Sequence, residues 1–124
     1  MCQGQYQLLG LAFGGGMKTQ AWAEVIIIRP NGELVKERIE GGFGVLSVTF
    51  RVLDKAVGPL ELTSNHPFVE TYAVATSGRY GSNADLIAEV CVRSGFVRKI
   101  GIGKHDCIVM ASALAYIDAI NKIV

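Results

Sequence analysis

The sequence predicts an α+β fold built from two βββα units, each an antiparallel three-stranded sheet covered by one helix. Three observations carry this. Two amphipathic stretches, Val45 to Val57 and Cys107 to Val124, each follow a glycine-containing run, Gly41-Gly42-Phe43-Gly44 and Gly101-Ile102-Gly103-Lys104. Before each of them come three extended runs, separated by Gly, Asn and Ser breaks. Residues also recur at a nearly fixed displacement: Ala23-Glu24-Val25 matches Ala88-Glu89-Val90, and Val45 with Leu53-Asp54 matches Val109 with Ile117-Asp118. Such self-similarity marks an internal duplication, and the two copies are expected to be related by a pseudo-twofold axis.

Tyr6, Leu8, Leu11 and Phe13 lie in a first extended segment that stops at Gly14-Gly15-Gly16, where the backbone is relaxed. Ala21 to Arg29 holds Val25-Ile26-Ile27-Ile28, a β-branched run suited to a buried strand. Pro30-Asn31-Gly32-Glu33 turns the chain, and Leu34 to Ile39 alternates with charged residues, so one face of it is wet. Val45 to Val57 contains Val45, Val48, Thr49 and Val52, which would also suit a strand; the polar stripe Ser47, Arg51, Asp54 and Lys55 predicts a helix instead. Gly58-Pro59 ends it, and residues 59–67 read as a linker. Thr71 to Thr76, Leu86 to Arg93 and Phe96 to Ile102 then repeat the three strands, with loops at Ser77-Gly78, Tyr80 to Asn83 and Ser94-Gly95. In the last helix, Val109, Met110, Ala113, Leu114, Ile117, Ile120 and Val124 recur at spacings of three and four, Ser112 and Asp118 fall elsewhere on the wheel, and Asp106 is placed to cap the start.

At 124 residues the chain is one domain, with half-units at about 5–58 and 68–124. Half of its residues are hydrophobic and 19% are charged, so part of the apolar surface is expected to be covered by a second copy. The net charge of +1, with neither sign clustered, points away from nucleic acid and anionic membranes. Cys2, Cys91 and Cys107 have no paired spacing, which argues against a disulfide framework or a metal site and for reduced thiols in the cytoplasm. No apolar run is long enough to span a membrane.

Both glycine runs precede helices, whose free N–H groups and dipole attract an anion. Neither matches a nucleotide-binding pattern, so a small carboxylate fits better than a phosphate. His105-Asp106 is a conceivable catalytic pair but reads better as solvated loop residues, and no paired carboxylates or activated nucleophile accompany it.

From about Tyr6 to Val124, the doubled βββα plan, its loops and its closing helix resemble the C-terminal regulatory, or dimerisation, domain of the α-isopropylmalate synthase and citramalate synthase family. The most specific stretch is Ala111-Ser112-Ala113-Leu114-Ala115-Tyr116 with Ala119-Ile120-Asn121, similar to the family's Ala-Ser-Ala-x-Ala-Tyr and Ala-Leu-Asn ending. Tyr72, Ala84-Asp85 and Ala88-Glu89-Val90 resemble its second half. The resemblance implies feedback inhibition by leucine or isoleucine, bound between the two halves near a homodimer interface. Carried over by position, the effector residues are Gly42, Phe43, Gly44 and Leu46 of the first half, with Tyr72, Thr76, Ala84 and Leu86 of the second. It implies no cofactor or metal in this domain, and a catalytic barrel supplied in cis or in trans. A barrel of about 250 residues cannot fit here, so no transferase activity is expected of the chain alone.

The sequence departs from the family at defined places. Where the family loop reads Gly-Asn-Gly-Pro with an aspartate shortly after, this chain has Phe43, Val45 and Ser47; Cys107 and Leu86 replace an aspartate and a small residue in the second half. A dimerisation module in which Phe43 plugs the ancestral pocket is the alternative reading.

Overall fold

The computed structural model describes residues 4–15, 20–42, 44–60, 63–76 and 86–123. Strands β1 (Gln7–Gly14), β2 (Trp22–Ile28) and β3 (Leu34–Glu40) precede helix α1 (Val45–Val57); β4 (Phe68–Thr76), β5 (Leu86–Ser94) and β6 (Val97–His105) precede α2 (Ile108–Ile123). Each set of strands forms an antiparallel sheet in sequence order, so the fold is α+β with βββα occurring twice. The chain divides into two compact units, Met1–Gly58 and Pro59–Val124.

In the first unit the strand period decides the faces. Ala23, Val25 and Ile27 of β2 are fully buried, and α1 packs over β2 and β3. The helix meets them with Val48, Val52 and Leu53, leaving Ser47, Arg51 and Lys55 in solvent. Burial of that apolar face overrides the strand preference of its valines. At the helix end, Arg29 donates from Nη2 to the Ala56 carbonyl at 2.9 Å and pairs with Glu33 at 2.8 Å, tying the β2–β3 turn to α1. The turn itself is closed by Asn31, whose Oδ1 accepts the Glu33 N–H at 2.9 Å. On the opposite sheet face, Lys36 pairs with Glu24, and the Arg38 guanidinium lies 4.3 Å from the centre of the Trp22 ring.

The second unit differs from expectation in four places. The strand expected to end at Ile102 runs on to His105, so all of Gly101 to Lys104 is paired strand within β6, with Gly101 opposite Val90 and Gly103 opposite Ala88. The glycines are there because α2 lies almost on the strand. A Cβ on Gly101 would stand 2.0 Å from the Ala115 carbonyl oxygen, and one on Gly103 would stand 2.1 Å from that of Ala111. Asp106 is not the cap of α2. The helix begins at Ile108, the Cys107 carbonyl accepts its first bond from Ala111, and Asp106 is exposed, with Oδ1 2.8 Å from His105 Nδ1. Ser112, assigned to a polar side, is fully buried. Finally β4 begins at Phe68, because a register shift between Val69 and Thr71 lets the strand start before the alternating segment does.

Residues near the junction are folded rather than loose. Leu60 and Pro67 are buried, the Leu60 N–H donates to Asn65 O, and Thr63 and Asn65 hold the Ser94 hydroxyl at the β5–β6 hairpin. The β6 edge is closed by the helix that follows it: the Ile102 N–H donates to Asp118 Oδ2 at 2.9 Å, and Lys122 Nζ donates to Ile100 O at 2.8 Å. The loop assigned to Tyr80–Asn83 and the end of the first glycine run at Gly16 lie outside the described residues. None of the described helices is long and apolar enough to cross a membrane.

Candidate functional site

Of the eight candidate effector residues, Gly42, Gly44 and Leu46 belong to the first unit, and Tyr72, Thr76 and Leu86 to the second; Phe43 and Ala84 lie outside the described residues. The first group surrounds the start of α1. Gly41 and Gly42 take φ of +104° and +119°, a region that L side chains rarely occupy, and Gly44 is an extended N-cap whose carbonyl accepts the Val48 N–H at 3.1 Å. Among the described residues no side chain caps this end, and its first turn carries no acidic residue. The first-turn amides of Val45, Leu46 and Ser47 therefore point outward beneath a glycine loop, the arrangement that attracts a carboxylate. Arg51 Nη1 donates to Gly41 O at 3.3 Å, so a cation also stands beside the loop and ties it to the helix. Leu46 is half-buried next to it.

In the second unit, Thr76 lies directly opposite Leu86 in the β4–β5 ladder, and Leu86 lies opposite His105 in the β5–β6 ladder, so these three make one row across the end of the sheet. Tyr72 pairs with Val90 four residues up the same strand, on the face that α2 covers. Its hydroxyl lies 3.1 Å from Ser112 Oγ, which in turn bonds to the Ile108 carbonyl at 2.7 Å. The sequence reading missed Ser112 as a partner of Tyr72. Its signal was the run of small residues from Ala111 to Ala115, which places a serine where a helix approaches a sheet closely.

The second glycine run offers no matching anion cradle, because its backbone is in the β5–β6 ladder and the remaining Ile102 N–H is taken by Asp118. His105 is likewise local: its Nδ1 meets the Cys107 N–H at 2.9 Å and Asp106 at 2.8 Å, both chain neighbours, so it forms part of the turn into α2. A further polar cluster lies on β4 to β6. Glu70, at the bulge in β4, pairs with Arg93 and with Arg98, and Arg98 Nε also reaches the buried Cys91 sulfur at 3.3 Å. The hydrogen bond from Arg93, reinforced by the charges of both arginines, holds the Glu70 carboxyl below its ordinary range; the hydrogen bond to Cys91 raises Arg98 further. Among the described residues, no group of three His, Cys, Asp or Glu side chains could hold a metal ion.

No family model matches the chain. A 2-isopropylmalate synthase from Solidesulfovibrio magneticus is 29% identical to it over 120 residues, which is 96% of this chain and 22% of that protein. Nearly the whole of this chain is thus similar to a minor part of a 2-isopropylmalate synthase.

Proposed function

We propose that this chain is the C-terminal regulatory domain of a 2-isopropylmalate or citramalate synthase, or a free-standing form of it, which binds leucine or isoleucine and associates as a homodimer. The carrying observation is the extent of the match: 96% of the chain is spent on 22% of the relative. The matched 120 residues are well short of the ~250 that a catalytic barrel needs. Catalysis then belongs to a barrel in cis or in trans, and the chain by itself performs no transfer.

The local chemistry supports the same reading. The uncapped, acid-free start of α1 suits a carboxylate, with half-buried Leu46 beside it as an apolar contact. In the second unit, the half-buried Leu86 side chain and the Tyr72 hydroxyl offer an apolar and a polar contact on the face that α2 covers. Regulation by such a domain needs only a modest coupling of about 1 to 3 kcal/mol between effector and catalytic sites.

The test is a thermal titration with leucine, isoleucine, valine and alanine separately. One branched amino acid at about 100 times its Kd should stabilise the chain by about 2.7 kcal/mol, and alanine should do little. A flat response to all four leaves the alternative, a dimerisation module without an effector. Sedimentation reads the dimer independently, and turnover of acetyl-CoA with 2-oxoisovalerate or pyruvate by this chain would overturn the non-catalytic role.

A further inference from the structure

We propose that Ser112 is a positioning residue that couples Tyr72 to the first turns of α2, so that occupancy beside Tyr72 is felt by the helix; this rests on the effector reading given above. The geometry has three parts. Ser112 is fully buried, its Oγ lies 3.1 Å from the Tyr72 hydroxyl on β4, and the same oxygen lies 2.7 Å from the Ile108 carbonyl at the start of α2. One hydroxyl therefore bridges a candidate effector residue and the first turn of the helix.

Two features make the bridge a route of transmission rather than a surface bond. First, β4 is an outer strand of its sheet, paired only with β5, whereas α2 packs over β5 and β6. The Tyr72 side chain spans from β4 to the helix across the β5 row. Second, α2 is seated on β6 without intervening side chains, because Ala111 and Ala115 lie against Gly103 and Gly101. A helix held that closely carries displacement along its seam, and Ser112 stands in the turn whose Ala111 lies on Gly103. A serine bonded to the carbonyl four residues before it also sits where helices bend. Displacement of the Tyr72 hydroxyl by an effector would thus be read at the N-terminal turn of α2, while the C-terminal turn stays anchored through Asp118 and Lys122 on β6.

The test uses the full chain with Tyr72→Phe, Ser112→Ala and the double variant. Without ligand, amide exchange at Ala111 to Ala113 should quicken by about fivefold in Tyr72→Phe, the effect of losing roughly 1 kcal/mol of hydrogen bonding, with Ile120 to Ile123 unchanged. No change at Ala111 to Ala113 overturns the coupling whether or not any amino acid binds. With leucine or isoleucine, each single variant should weaken binding by about five- to tenfold and the double variant no further. Losses that multiply, or a Ser112→Ala variant that is less stable but binds normally, also overturn it. Absence of binding to the unmodified chain removes the effector reading, and with it the regulatory role of the bridge, while the exchange result still reports the coupling itself.

Discussion

The two helix-on-sheet seams share a topology and differ in how closely backbone meets backbone. In the second unit, Gly101 and Gly103 of β6 face Ala115 and Ala111 of α2, and there is no room for even one methyl group. In the first unit the strand positions opposite Val25 and Ala23 are Glu37 and Ile39, which correspond to Gly101 and Gly103 opposite Val90 and Ala88. The helix positions that match Ala111, Ala115 and Ala119 are Ser47, Arg51 and Lys55, all exposed, with Lys55 pairing to Glu37 at 3.4 Å. A duplicated plan has therefore been closed twice, once by small residues in direct contact and once by long side chains reaching over the edge. A close seam transmits displacement, whereas a side-chain seam absorbs it, so the second unit is the stiffer of the two.

The largest expected effect tests that contrast directly. Gly103→Ala should cost about 3 kcal/mol or more in urea unfolding, because the new methyl would meet helix backbone that cannot rotate away. Ile39→Ala, at the matching place in the first unit, should cost only about 1 kcal/mol, since Ile39 is half-buried and the helix is not pressed on it. Equal losses at the two sites would erase the distinction. Next comes the closed edge of β6: Asp118→Ala should lose about 1 to 2 kcal/mol, as the Ile102 N–H gives up a charged acceptor.

A gain of about 1 kcal/mol is expected from Thr49→Val. Thr49 Oγ1 is fully buried with no hydrogen-bond partner among the described residues, and the matching position of α2 is Ala113. A loss of stability in this variant would mean that the hydroxyl has a use in the folded chain. Lys55→Ala should change stability by less than about 0.5 kcal/mol, since its pair with Glu37 is solvated and screened by salt. The smallest effect is that of pH on Glu70. Arginine pairing lowers its folded-state pKa, so its contribution is present above the ordinary carboxylate range and is lost as pH falls through the lowered value. Glu70→Gln should flatten that acid limb of the stability profile; an unchanged limb would assign the acid sensitivity to other carboxylates.

How much of this was legible beforehand depends on whether the signal was periodic. The span of α1 could be read from the stripe Ser47, Arg51, Asp54 and Lys55 even though its valines favour strand, because solvent exposure on one side of a helix is written in the spacing of polar residues. The glycines of β6 could not be read the same way. Gly101 and Gly103 look like a loop when only backbone freedom is considered, and their real role depends on Ala115 and Ala111 in the helix that follows. Of the candidate site, Thr76 and Leu86 are direct neighbours in the ladder and Tyr72 is on the helix-covered face, but the bond from Tyr72 to Ser112 joins residues 40 positions apart.

Sequence alone determined the order of strands and helices and their repetition, because apolar alternation and helical spacing are local properties of the chain. Tertiary structure alone decided which glycines were turns and which were contact surfaces, where α2 begins, and which hydroxyl Tyr72 meets. Those outcomes depend on how closely packed elements approach one another in space, and a distance of that kind leaves no period to be read.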